Sequence, residues 1–485
     1  MKSWIVIIFF ISTIGSSAQR AGVPYSNDDK TKLPPQLSLN QCLQLALKQN
    51  FDIILNAPKK ESAEAALSSA FATYLPSVYF NSGYRHEFKN YGTTISSNSS
   101  SPNNPYDSST NSVMWAAYRA SNMLMSPILS QMQNSNISLS NNYYNMSLSA
   151  NLILFDGMNR EANLEKAKKS VEAVIKSNNQ LERNVLISVY RDYIDVIRNK
   201  QIVHVRNENF NLGNKELERI QAQYSAGVVP MSNVYAQQAD LGSRELELIT
   251  ADNNVRLSKA KLLINIGYNA DTAIDFENQS LPDSITNTEM QQFRTSVGSY
   301  EECMKKAMSK RNDFAAAGLA VESAHSGITA AQSGYYPRIS ASGGWSWANS
   351  EFSQFDQGLS SFGLSLSFPV FDNLMTRSQV QSAQLQLEQR KVEQLHLEQQ
   401  IRGAVQAAFL ILDAAEKQIE ITNRAMRSAL MNYESTNERY KVGAANITEL
   451  QTANNQLVGM QINRVNAVYN YIMAQKELLY AIGEL

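Results

Sequence analysis

The feature that most constrains this chain is an internal repeat with conserved spacing. Leu39-Asn40-Gln41-Cys42-Leu43-Gln44-Leu45-Ala46-Leu47 aligns with Tyr300-Glu301-Glu302-Cys303-Met304-Lys305-Lys306-Ala307-Met308 at an offset of 261, and Tyr74-Leu75-Pro76-Ser77 falls on Tyr335-Tyr336-Pro337-Arg338 at the same offset. Farther on, Leu154-Phe155-Asp156-Gly157 matches Val370-Phe371-Asp372-Asn373, and Tyr224-Ser225-Ala226-Gly227 matches Tyr440-Lys441-Val442-Gly443, both at 216, an offset that still holds from Gly267 to Gly483. Asp156 to Tyr224 and Asp372 to Tyr440 are each 68 residues. Loops absorb insertions readily, so a stretch that keeps its length in both copies is a rigid rod. The prior of about three globules of roughly 150 residues gives way to two rods. The step from 261 to 216 places 45 extra residues in copy one, in the Ser- and Asn-rich segment around Thr93 to Asn142.

Each rod is rich in Gln, Glu, Lys, Ala and Leu and poor in glycine and proline, the composition of a long helix. At 1.5 Å per residue, such a helix reaches roughly 100 Å. Apolar residues recur in 3,4 spacing at Val405, Ala408, Leu412, Ala415 and Ile419, and on a returning arm at Ile462, Val465, Tyr469 and Ile472. That is a coiled-coil seam. Tyr224-Ser225-Ala226-Gly227-Val228-Val229-Pro230 and Tyr440-Lys441-Val442-Gly443-Ala444-Ala445-Asn446 read as helix-ending glycines followed by a restart, with Ser232 and Thr448 near the new N-termini. Each rod is therefore a helical hairpin, over 157–267 and 373–483.

Between the proline and the Phe-Asp pair, each copy holds two segments that alternate in polarity, the mark of a two-faced strand. They are expected at about 77–88 and 144–155, then 338–348 and 361–371. One face carries Val78, Phe80, Tyr84, Leu148, Leu152, Trp345, Trp347, Leu364, Leu366 and Phe368; the other carries residues such as Asn81, Ser147, Ser149, Ser346 and Ser365. About ten residues suit a tilted membrane-spanning strand, with these apolar side chains toward lipid. Four strands cannot close a barrel, and open edges in lipid leave backbone groups unpaired. Several chains must pool their strands, and three chains giving twelve is the economical solution.

The N-terminus has the layout of a secretory signal peptide: Lys2, an apolar run from Trp4 to Ile14, and small residues ending at Ala18. Residues 1–18 are assigned to it, 19–36 to an N-terminal tail, 37–267 to the first repeat, 268–298 to a linker at the equator of the rods, and 299–485 to the second repeat. Formal net charge is −1, which gives no reason to expect a nucleic-acid partner. Cys42 and Cys303 occupy equivalent places in the two copies and read as small buried hydrophobes rather than a disulfide. His86, His204, His325 and His396 are scattered, and neither a metal-ligand spacing nor a Gly-rich phosphate loop is present. The expectation is a non-enzyme without cofactor or metal.

With its duplicated Tyr-x-Pro entry to the strands, its Phe-Asp exit into a long helix and its Tyr-x-x-Gly tips, the chain from about Leu37 onward resembles the TolC-like outer-membrane efflux protein family. The resemblance implies an α+β membrane fold: a homotrimer with a twelve-stranded barrel in the lipid of a Gram-negative outer membrane, continuous with a helical coiled-coil barrel in the periplasm. It implies an exit channel of a tripartite efflux or type I secretion system, whose tips meet a periplasmic adaptor (a membrane fusion protein) linked to an inner-membrane pump. Carried over by motif, the adaptor-docking residues are Gly227, Val228, Val229, Val442, Gly443, Ala444 and Ala445, and the periplasmic gate comprises Tyr224, Asn233, Tyr440 and Glu449. Here the sequence departs from family members that close the tip with acidic rings and an arginine: Thr452 stands at the second ring and Ala445 at the arginine. An acidic ring would rest on Glu449 alone. The competing reading is a structural or adhesive trimer with a coiled-coil stalk, its exposed face the Ser- and Asn-rich stretch around Ser96 to Ser112 within the insertion over 89–143. A stalk has no need of a duplicated, glycine-tipped hairpin.

Overall fold

A computed structural model describes residues 34–86, 116, 117, 119, 120, 123, 142–277, 282, 284–352 and 358–485. The expected signal peptide, nearly all of the N-terminal tail and almost the whole insertion lie outside the described residues. The chain divides into two compact units: Met1–Ala65, Lys168–Glu322 and Leu387–Leu485 form one, and Ala66–Ala167 and Ser323–Gln386 the other.

The first unit holds most of two helical hairpins, whose long arms begin in the second unit. Helices α3 (Asn159–Ser225) and α4 (Met231–Asn265) form one; α8 (Met375–Lys441) and α9 (Ile447–Ala481) form the other. The lengths agree between copies, 67 and 35 residues each. The seam residues Val405, Ala408, Leu412, Ala415 and Ile419 are buried in one apolar cluster, whereas Tyr469 and Ile472 on the returning arm are buried in another. Helix ends 216 residues apart carry the same bonds: Gly267 N–H donates to Ile264 O and Tyr268 N–H to Leu263 O, as Gly483 N–H does to Tyr480 O and Glu484 N–H to Leu479 O. This double reverse bond, with glycine in the left-handed region, satisfies carbonyls left over at a helix C-terminus.

The segments before the strands hold helices that periodicity does not assign. These are α1 (Leu39–Gln49) and α2 (Phe51–Ala72) in copy one, α6 (Tyr300–Lys310) and α7 (Asn312–Gln332) in copy two. Their starts are written in the sequence: Ser38 and Gln41, like Ser299 and Glu302, exchange reciprocal side-chain and backbone hydrogen bonds. Cys42 and Cys303 are buried and free, in separate apolar clusters.

The linker expected over 268–298 is not a plain connection. Strand β4 (Asp275–Phe276) pairs in parallel with β1 (Gln36–Leu37), and α5 (Asn287–Val297) starts at a Thr286–Glu289 capping box and buries Met290 and Val297 against the α8 seam. Asp275 ties this segment down through ion pairs of 2.6 Å to Lys200 and 2.8 Å to Lys259. Burial works against its carboxylate, but the hydrogen bonds from the two lysines outweigh that and hold its pKa at about 2. A carboxyl group lowered from 3.8 adds stability above pH 4 and loses it as pH falls toward 2. Asp275→Asn is therefore expected to lower stability at pH 7 by about 1 kcal/mol, a modest figure because the side chain is 43 % exposed and screened. Thermal melts at pH 7 and pH 2.5 check this: the gap between wild type and variant should narrow at the lower pH.

The second unit centres on one antiparallel sheet in the order β2-β3-β5-β6: Ser77–His86, Asn142–Phe155, Arg338–Asn349 and Leu359–Ser367. The last strand, expected to run through 371, stops at Ser367. Pro369 has no N–H to give a ladder, and Phe368, Val370 and Phe371 are left exposed beyond the strand's end. Chain turning into the long helices needs left-handed backbone twice in succession, at Gly157 and Met158 and again at Asn373 and Leu374. Asn373 is the non-glycine residue best able to stand where copy one has Gly157.

Candidate functional sites: a two-faced sheet and two hairpin tips

Strand register determines which side chains share a face. Phe80 pairs with Leu148 and Leu148 with Trp345; Val78 pairs with Ala150; Leu152 pairs with Ala341 and Ala341 with Leu364; Ile339 pairs with Leu366. Tyr84 pairs with Tyr144, their rings 5.0 Å apart. One face thus collects Val78, Phe80, Tyr84, Leu148, Leu152, Trp345, Leu364 and Leu366. The same register lines Asn81, Ser147 and Ser346 across the opposite face, and Ser340 bonds Ser365 there at 2.7 Å.

Phe80, Leu364 and Leu366 are each at least 65 % exposed, in a sheet whose outer strands β2 and β6 have no further partner among the described residues. Two of the expected lipid-facing residues sit differently. Trp347 lies on the apolar face but is buried, its ring packed edge-on against Phe352 at 6.2 Å. Phe368 falls beyond the end of β6.

At the hairpin tips, Gly227 and Gly443 take φ of +73° and +76°. Gly227 N–H donates to Tyr224 O and Val228 N–H to Gln223 O; Gly443 N–H donates to Tyr440 O and Ala444 N–H to Arg439 O. The restarts fall where the sequence places them. Ser232 and Thr448 sit one residue inside the new helices, and the caps are Pro230 and Asn446. Pro230 needs no N–H bond and brings a preset φ of −75°; Asn446 accepts from Glu449 N–H at 2.8 Å.

Of the docking candidates, Gly227, Val228, Val442, Gly443 and Ala444 are exposed, whereas Val229 and Ala445 are half-buried. Val229 packs on a small cluster of Ile220, Val234, Ile447 and Leu450. Of the gate candidates, Tyr224 is exposed and Asn233 lies in the first turn of α4. Tyr440 stacks under the Arg219 guanidinium, 5.1 Å from its ring centre, linking the two hairpins. Glu449 does not stand alone: Arg439 pairs with it at 3.2 Å and also donates to Ala444 O at 3.1 Å. The charge of Glu449 is therefore countered within its own hairpin. Both arginines lie in charge-rich helix stretches where the sequence has no periodic signal to single them out.

Set back from the tips is a buried polar layer that sequence reasoning misses. Arg244 is 2 % exposed and pairs with Glu216 at 3.1 Å and Asp240 at 2.7 Å, while donating to Asn209 O at 3.1 Å. Burial raises the Glu216 pKa and the Arg244 charge opposes the rise. Two amides of α9 reach this core: Asn454 donates to Asn209 Oδ1 at 2.8 Å and Gln451 to Gln237 Oε1 at 3.0 Å. Among the described residues no cluster of three or more His, Cys, Asp or Glu could hold a metal, and no helix is long and apolar enough to cross a membrane.

The family model for outer membrane efflux proteins matches residues 119–267 and 303–484. Outer membrane efflux protein BepC of Brucella suis biovar 1 is 24 % identical over 344 residues, 70 % of this chain and 72 % of that protein. Outer membrane protein TolC of Escherichia coli is 22 % identical over 322 residues, 63 % of this chain and 62 % of TolC. Among solved structures, the CmeC outer membrane channel of Campylobacter jejuni superposes with a TM-score of 0.70 at 15 % identity, covering 92 % of this chain and 85 % of CmeC. The outer membrane protein VceC of Vibrio cholerae gives 0.71 at 16 % identity, covering 92 % and 96 %. At such identities the structural likeness speaks for the fold.

Proposed function

Because this chain belongs to the outer membrane efflux protein family, we propose that it is the outer-membrane exit duct of a tripartite efflux or type I secretion system in a Gram-negative bacterium. The observation that carries the proposal is the four-stranded sheet. Its apolar face lies exposed except at Trp347, its other face carries Ser and Asn, and neither outer strand has a further partner among the described residues. In water such a sheet would aggregate; in lipid the apolar face is solvated, provided the edges are paired.

Pairing comes from further copies. Successive strands alternate in direction, so β6 of one chain and β2 of the next run antiparallel, the arrangement that continues the sheet. Three chains then give a closed barrel of twelve strands, with Val78, Phe80, Leu148, Leu364 and Leu366 toward lipid and the serine-rich face toward the lumen. The hairpins of the three chains line a periplasmic tunnel. Exposed apolar side chains on α8, among them Val392, Leu395 and Ile411, are the surfaces neighbouring chains would cover. A periplasmic adaptor docks at Gly227, Val228, Val442, Gly443 and Ala444, and an inner-membrane pump supplies the energy. The duct itself is passive and no enzyme.

Sedimentation of the purified protein in detergent tests the assembly. The expected species has three times the chain mass and is recovered from the outer-membrane fraction of cells. A folded species of single-chain mass would defeat the barrel.

A further inference from the structure

Both copies turn the same corner where the second strand passes into the long helix, but the strand order β2-β3-β5-β6 gives the two corners different neighbours. Within each copy, the second residue of the long helix meets that copy's own strand entry. Arg160 stacks over Tyr74, 4.7 Å from its ring centre; Thr376, at the 216-residue offset, lies where a Cβ on Gly334 would have to go. The corner of copy one also meets the entry of copy two, because β3 lies beside β5. Asn159 Nδ2 donates to Ala330 O at 3.2 Å and to Ser333 Oγ at 2.9 Å. A Cβ on Gly157 would lie 2.7 Å from Ser333 O and 2.8 Å from Tyr336 Cβ.

The corner of copy two has no such neighbour within the chain, since β6 is an outer strand. At the repeat offsets, Gly157 and Asn159 become Asn373 and Met375, while Ala330, Ser333 and Tyr336 become Ser69, Ala72 and Leu75. Exposure separates the two sets. Gly157 is buried and Asn159, Ala330 and Ser333 are half-buried, whereas Asn373, Met375, Ser69 and Ala72 are all exposed, Met375 at 62 %. The two unfilled halves stand at opposite edges of the sheet, one after β6 and the other before β2. Their chemistry has changed in step: the polar pair of Asn159 and Ser333 is replaced by the apolar pair of Met375 and Ala72. Asn373 carries the Cβ for which Gly157 has no room, so the second contact is wider, and a long, flexible methionine suits the wider gap.

We propose that the corner of copy two in one chain seats on the strand entry of copy one in a second copy of the chain, with Met375 on Ala72 and Asn373 facing Leu75. The proposal rests on the reading that several chains pool their strands, and it says which residues meet at the join. A surface on one edge that fits a different surface on the other is a head-to-tail contact, which closes into a ring. Lipid is the poorer occupant, because Asn373 and Ser69 would enter it beside Met375 with nothing to bond. The change of pair also keeps order: the Ser333 seat is filled by Asn159 of its own chain, so the two copies alternate around the ring.

Disulfide cross-linking between co-expressed full-length chains tests it. A Met375→Cys chain oxidised with an Ala72→Cys chain is expected to give a two-chain band, and with a Ser333→Cys chain about tenfold less. Wild-type chains, whose Cys42 and Cys303 are buried, should give none. Met375→Glu is expected to shorten the lifetime of the assembled species in detergent about tenfold by burying an unpaired carboxylate, and adding Ala72→Lys should restore most of it. Each change suits its place for folding, an acid at the start of α8 and a base at the end of α2. An assembled wild type whose 375 and 72 positions do not cross-link, equal cross-linking of 375 to 333, or no rescue by Ala72→Lys would overturn the seat and leave the patch to lipid. A wild type of single-chain mass would overturn the barrel reading as well.

Discussion

An arginine in place of Leu148 is expected to lower the stability of the membrane-inserted protein by about 2–4 kcal/mol, whereas an arginine in place of the adjacent Ser147 should change it by less than about 1 kcal/mol. Leu148 lies on an inner strand, with Phe80 on one side and Trp345 on the other, and its side chain is exposed in the isolated chain. In the proposed barrel a charge there would meet hydrocarbon. Ser147 sits between Asn81 and Ser346 on the opposite face, where the proposed lumen would hydrate a guanidinium. The two positions are adjacent in sequence and differ only in the face they occupy, so the contrast isolates membrane burial from local packing. Urea unfolding from lipid vesicles, read by the loss of the heat-modifiable band on a gel, measures both. Equal effects would mean that the apolar face meets protein rather than lipid.

That face is legible in the sequence because a strand's period is two residues and its environment here is sharply divided. Most serines and asparagines of the strands mark one face and most leucines and phenylalanines the other, with Ser82 and Ser360 on the apolar side and Leu359 on the polar side as exceptions. The hairpins are legible for a related reason: the repeat measures them twice, and Gly227 and Gly443 mark where they turn. Three things are not. The end of β6 is misplaced by pattern alone because alternation continues to Phe368, while the ladder depends on an N–H that Pro369 lacks. Helices α2 and α7 escape a periodicity reading because none of their side chains is buried and the apolar stripe is weak, whereas α1 and α6 are amphipathic but only eleven residues long, their starts spelled by Ser38–Gln41 and Ser299–Glu302. The polar layer is invisible because Glu216, Asp240 and Arg244 lie on helices full of charges, and only packing tells a buried one from its solvated neighbours.

The second large effect is expected at a glycine away from both sites. Gly267→Ala should destabilise the protein by roughly 2–4 kcal/mol, and Gly443→Ala by about 1 kcal/mol. Both residues have positive φ, +86° and +76°, so each substitution carries the strain of a left-handed alanine. Their surroundings separate them. A Cβ on Gly267 would lie 2.7 Å from the carbonyl carbon of Gln49, backbone that cannot swing aside, whereas one on Gly443 meets nothing within 4 Å. Gly267 ends the returning helix of copy one against the junction of α1 and α2, where Asn50 also donates to Asn265 O at 2.7 Å. Gly483 closes copy two in the same way, beside the Lys310–Arg311 backbone, with Arg311 donating to Ala481 O at 3.2 Å. The tip glycines allow a turn; the other pair allows a close approach. Guanidinium unfolding of the four single Gly→Ala variants would show the split, with Gly267 and Gly483 together at the high end.

The central claim is that this chain assembles a pore, and ionic current through it is the most direct test. Purified protein reconstituted in planar bilayers should insert in discrete steps of uniform conductance. Absence of any conductance step from protein that is folded, trimeric and demonstrably inserted would contradict the account and leave the hairpins as a stalk rather than a tunnel.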